Sequence, residues 1–149
     1  MKTLILTLTL AGLLAGTTGC VVAIGASKSE SQPPPQVLTS SEAATIAEID
    51  AASKLSFDAA KLTALIQITR LSDLSPAVQL RLVEAAYKRL SFADSKVALL
   101  REIIISPNFC DATRQAIVTQ LQMLPFDANK QEVLNELNRK VTSAAAKGT

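Results

Sequence analysis

The chain has 149 residues, with 15 Lys and Arg against 13 Asp and Glu, a net charge of +2. It has no histidine or tryptophan and one tyrosine; of its five glycines, Gly12, Gly16, Gly19 and Gly25 lie near the start and Gly148 near the end. These features exclude Ser-His-Asp and Cys-His catalysis, His-dependent zinc sites and a phosphate-cradling glycine loop, and they offer no basic, aromatic surface for nucleic acid.

The first twenty residues read MKTLILTLTLAGLLAGTTGC. Lys2 supplies a positive start, Leu4 to Ala15 form an apolar stretch too short to span a bilayer, and small residues lead to Cys20. The segment resembles a bacterial lipoprotein signal, in which a small residue precedes the cysteine that receives the lipid. Gly19 and Thr18 fit that pattern, whereas Thr17 stands where Leu is usual. Residues 1–19 are therefore expected to be a signal peptide and Cys20 a lipid-attachment site. Two other readings also export the chain: an ordinary secretory signal cut after Ala23 or Ala26, and an uncleaved anchor helix over 3–26. Val21 carries no acidic retention signal, so the resemblance implies an outer-membrane lipoprotein facing the periplasm.

Residues 27–36, SKSESQPPPQ, are polar and proline-rich, so 20–37 reads as a flexible tether. With Cys20 lipidated, Cys110 is the one remaining thiol and no internal disulfide forms. Cys110 reads as a small buried apolar residue, and Asp111 beside it argues against a reactive thiolate.

The folded part is expected over 38–142, followed by a disordered tail over 143–149. Thr39 and Glu42 form a capping box ahead of Ile46 and Ile49. LSFDAAKL at 55–62 then opens a second helix, with Asp58 as cap and Phe57 closing onto Leu62 as a hydrophobic staple. Leu62, Leu65, Ile66 and Thr69 share one face of it. Ser75 as cap and Pro76 at the first helical position start a third helix bearing Val78, Leu82, Val83, Ala86 and Leu90. LSFADSKV at 90–97 repeats the helix-opening phrase, and its exchanged Ala93 and Asp94 predict a cap shifted by one residue. Val97, Leu100, Ile103 and Ile104 follow at helical spacing. A fifth helix begins with Asp111 as cap and carries Ile117, Leu121 and Leu124. LPFDANKQ at 124–131 opens the sixth with Asp127 as cap, then Val133, Leu134, Leu137 and Val141.

The phrase recurs at steps of 35 and 34 residues, so the unit is a helix pair, and the expected fold is all-α: a compact bundle or short solenoid of about six helices. The period equals that of tetratricopeptide repeats, but their Trp, Leu-Gly and Tyr signature is missing. Residues 55–140 resemble the bacterial domain-of-unknown-function family 4476. Its helix-start phrase is present as Phe57, Asp58, Lys61 and Leu62; Val78, Gln79, Ser91 and Phe92 follow, then Asn108 and Phe109, and finally Phe126, Asp127 and Lys130. FADSK and DLSPAV depart from the family pattern. The resemblance implies a helical fold and carries no activity with it.

Asp58, Asp111 and Asp127 are accounted for as caps, and Glu84 by its position before Lys88. No catalysis and no cofactor or metal are expected. Lys61, Lys96 and Lys130 occupy equivalent first-turn positions. The plain reading of these lysines is a set of solvated Asp–Lys pairs; the sharper one is a stripe for an anionic partner such as lipid headgroups, cell-wall polymer or an acidic protein. The expected function is a lipid-anchored interaction or scaffold module binding an envelope protein or anionic polymer. The alternative is a periplasmic binding protein holding a small apolar or acyl ligand between its helices.

Overall fold

The computed structural model describes residues 38–147; the expected signal peptide, Cys20 and the tether lie outside them. Six α-helices follow one another: α1 (Ser40–Ala52), α2 (Asp58–Thr69), α3 (Pro76–Arg89), α4 (Ala93–Ile105), α5 (Asp111–Gln120) and α6 (Asp127–Lys147), with a 3-10 turn at Leu121–Met123. Among the described residues there is no strand, as the helical periodicity predicts.

The helices form two layers. Odd helices pack in the order α1, α3, α5 and even helices in the order α2, α4, α6, and α1–α2, α2–α3 and α3–α4 join the layers. Each unit therefore touches the next one, which is a short solenoid rather than a closed bundle. The side-chain bonds between helices follow the same step. Arg81 on α3 binds Asp50 on α1 across 31 residues, and Lys140 on α6 donates to the carbonyl of Ser106, just past α4, across 34.

The core is continuous from Ile49 to Leu137. Leu65, Leu82, Leu99, Leu100, Ile103, Ile104 and Ile117 are fully enclosed in it. Every apolar position expected to face inward on α3 is buried, since a 3.6-residue stripe has only one direction in which to hide. Val141 is an exception at 44% exposure, because α6 outruns the helix it packs against. Instead of a tail from 143, α6 continues to Lys147; alanine is the strongest helix former, and residues 144–146 are all alanine.

Two of the expected caps hold. Thr39 Oγ1 accepts the Glu42 N–H at 3.3 Å while Glu42 accepts the Thr39 N–H at 2.7 Å. Ser75 Oγ accepts the Val78 N–H at 3.4 Å, with Pro76 behind it. The aspartates differ. Asp58, Asp111 and Asp127 are each the first residue inside their helix, and at α2 and α5 the capping position belongs to Phe57 and Cys110, which make no side-chain cap bond. A carboxylate there still opposes the positive end of the helix dipole, but it has already turned past the free N–H groups. α4 begins at Ala93 behind Phe92, so its start is not shifted either.

This one-residue difference also removes the staple. A staple needs its apolar residue one place before the cap, where α2 has Ser56, with Lys61 as the facing position. Phe57 is left 77% exposed, and Leu62 packs against the core without it.

Candidate functional site

The phenylalanine left free at α2 is repeated at α4 and α6. Phe92 is 67% and Phe126 62% exposed, whereas the fourth phenylalanine, Phe109, is half-buried against the core. Phe57 and Phe92 have nearly the same extended backbone, φ −101°, ψ 134° and φ −85°, ψ 137°, each at the capping position of its helix. The starts are adjacent in space. Asp58 Oδ2 accepts the Phe92 N–H at 3.2 Å and Asp58 Oδ1 the Ser91 N–H at 2.9 Å. Asn129, in the first turn of α6, donates to Asp94 in the first turn of α4 at 3.4 Å. The three rings thus stand in a row along one edge of the solenoid, and Leu55 (42% exposed) and Met123 (49%) lie in the same loops.

Asp58 fixes the spacing of this edge. It serves as a cap between units: it satisfies two N–H groups at the entry to the next even helix instead of those of its own. Burial is the largest single influence on its carboxyl and would raise its pKa. The Ser91 and Phe92 N–H groups, helped by Lys61 and Ser95, outweigh it and hold the pKa below the usual carboxylate value. A lowered folded pKa means that this contribution is present above about pH 4, the unfolded value, and is lost as pH falls through the folded one. Asp58→Asn should therefore flatten the acid limb of a stability-versus-pH curve below about pH 4 and lower stability at pH 7 by about 1–2 kcal/mol. Urea denaturation at a series of pH values measures it; an acid limb as steep as wild type would refute the assignment.

The lysines of the expected stripe do not act alike. Lys61 Nζ lies 4.0 Å from Asp58 and donates at 3.1 Å to the carbonyl of Arg89, the last residue of α3, a favourable place for a cation. Lys130 pairs with Asp127 at 2.9 Å. Lys96 is half-buried in the first turn of α4. Both expected Asp–Lys pairs form, so the row of lysines is in large part internal bracing. Lys88 pairs with Glu84 at 3.0 Å as its spacing predicts, and Arg81 adds a bond to the same carboxylate at 2.5 Å.

The opposite edge is held by polar bonds that sequence periodicity did not announce. Gln79 is fully buried; its Nε2 donates to the carbonyls of Leu74 at 3.0 Å and Asn108 at 2.6 Å, and its Oε1 accepts from Thr113 Oγ1 at 2.9 Å. Asn108 Nδ2 donates to the Ser72 carbonyl, and Cys110 Sγ lies 3.2 Å from Thr113 Oγ1. Cys110 is a half-buried free thiol at the capping position of α5, where it makes no cap bond, and is not a core residue. Tyr87 is likewise drawn inward and donates to the Ile117 carbonyl at 3.2 Å; burial pushes its pKa up to about 12. Among the described residues no buried side-chain polar atom lacks a partner, and no group of acidic, cysteine or histidine side chains is placed to hold a metal ion.

Leu82, Leu99, Leu100, Ile103 and Ile104 are enclosed in the core. A surface cleft of about 420 Å³ lies where α2, α4 and α6 meet and is lined by Ile66 and Ile105 but also by Asp94, Arg101, Glu102 and Glu132. Among the described residues no helix is long and apolar enough to cross a membrane. No family model, curated protein or solved structure matches the chain.

Proposed function

We propose that this chain is an exported, lipid-tethered helical-repeat module of the cell envelope that works by contact rather than catalysis. The observation that carries the reading is the row of Phe57, Phe92 and Phe126, three large apolar side chains exposed at equivalent positions of successive units. Each could have been stapled onto its own helix, and a run of exposed aromatics at the repeat spacing marks an interaction surface rather than scattered surface apolarity. The Leu4–Ala15 stretch ending at Cys20 supports export and lipid attachment, with the module held at the outer membrane on the periplasmic side. Membership in family 4476 belongs to the same proposal and rests on the helix-boundary phrases alone.

Growing cells with a clickable fatty-acid analogue tests the placement. Wild-type protein should take up label and Cys20→Ala none. Unlabelled wild-type protein, migrating at the size of a secreted form, would overturn the lipid tether.

A further inference from the structure

The phenylalanine edge is also the basic edge. Its loops with the helix turns on either side, 49–61, 86–96 and 117–130, carry Lys54, Lys61, Lys88, Arg89, Lys96 and Lys130 against Asp50, Asp58, Asp94 and Asp127, and no glutamate. That is an excess of two positive charges, and Asp50 is bound to Arg81. Asp58 is moreover spent on the backbone of the next unit. Lys54 and Arg89 are exposed, just after α1 and at the end of α3, near the starts of the even helices; Lys88 is exposed as well but paired with Glu84.

We propose that this edge docks on an anionic lipid surface, with Phe57, Phe92 and Phe126 entering the boundary between headgroups and acyl chains and the basic side chains meeting lipid phosphates. The proposal rests on the edge being the interaction surface named above, and it identifies the partner. The combination of protruding apolar rings with a flanking cationic rim is the chemistry of interfacial binding. The form of the surface selects lipid over protein. Neighbouring packed helices lie about 8–10 Å apart, so the rings form a comb about 20 Å long, each on its own loop. A protein partner would need three separate sockets at that spacing, whereas a fluid interface closes around each ring. The lysine and arginine stems add apolar length beneath their charges.

The chain length allows the contact. The 17 residues from 21 to 37 reach at most about 55–60 Å. α1, which starts at the opposite edge and runs toward the phenylalanines, has 13 residues and covers about 20 Å. That contour length exceeds the length of α1, so the lipid attachment proposed at Cys20 and the docking of the phenylalanine edge are compatible. The lipid would then be one of two attachments, and the second would set which face of the module looks outward.

Residues 36–149 contain the whole core, Ile49 to Leu137, and form one compact unit, so they serve as the test protein without signal or lipid. Co-sedimentation is measured with vesicles of phosphatidylcholine, alone or with about one third phosphatidylglycerol, at about 0.1 M salt. The wild-type domain should bind the anionic vesicles and bind the neutral ones more weakly. Phe57→Ser/Phe92→Ser/Phe126→Ser should lower partitioning by about a hundredfold with unchanged helical circular dichroism. Lys54→Glu/Arg89→Glu, which leaves the rings in place, should lower it by about tenfold or more on anionic vesicles only. A wild-type domain that stays in the supernatant, or a triple variant that still sediments, overturns the proposal. Concentration-dependent dimerisation in sedimentation velocity, lost in the triple variant and without vesicle binding, would assign the edge to a second copy and overturn lipid docking alone. The fatty-acid label on Cys20 reports separately on the tether.

Discussion

Replacing Leu100 by Ala should lower the free energy of unfolding by about 2–5 kcal/mol. The side chain is fully enclosed, and α4 is the helix on which α2, α3 and α6 all pack. Truncation removes three carbons from a close-packed core and leaves a cavity that the surroundings fill only in part. In a domain of this size such a loss is a large share of total stability, so the midpoint in urea should fall clearly. Phe92→Ala on the same helix is the contrast. Its ring is mostly in water, and its removal should change stability by no more than about 0.5 kcal/mol. A Phe92→Ala cost equal to that of Leu100→Ala would show that the ring is packed and would remove the basis for an interaction edge.

Gln79→Ala should cost about 2–4 kcal/mol, although glutamine is ordinarily a surface residue. Its amide answers the Leu74 and Asn108 carbonyls and the Thr113 hydroxyl at once, and all three lose a partner when it is removed, two of them in buried surroundings. Gln79→Leu keeps most of the volume but leaves the same groups unpaired, so it should cost nearly as much. Thr113→Val in the Gln79→Leu background should restore part of the loss, because it removes one of the stranded groups. Urea denaturation of wild type, Gln79→Leu, Thr113→Val and the double variant completes a double-mutant cycle; strictly additive costs would show that Gln79 and Thr113 do not act together. Because the network joins the α2–α3 loop to the α4–α5 loop through Asn108 and Ser72, its loss should loosen the edge opposite the phenylalanines first. Amide exchange over 70–75 and 106–110 should then speed up before the rest of the domain responds.

The helices and their order were legible in the chain because the signals are short-range. Thr39 with Glu42 and Ser75 with Pro76 act within four residues, and the apolar spacing of α3 names its own buried side. The candidate site was legible only in part. The repeated phenylalanines were visible, but reading them as staples hid them in the core. A shift of the helix boundary by one residue, from Asp58 to Phe57 as cap, separates a stapled ring from a free one. Periodicity cannot resolve that shift, because both boundaries keep the same stripe. Gln79 offered a different difficulty: on the helix wheel it lies beside Val78 and Leu82, yet a buried amide makes sense only once Asn108 and Thr113, 29 and 34 residues away, are known to face it.

The sequence by itself determined an all-helical chain built from paired helices at steps of 35 and 34 residues, because caps, proline and apolar spacing act over a turn or two of backbone. Tertiary structure alone decided that the pairs stack openly in two layers, that Asp58 serves the next unit rather than its own helix, and that three phenylalanines stay in water along one basic edge. Those outcomes depend on which residues about one repeat apart come to face each other, and that register is set by how whole helices pack, which no local pattern encodes.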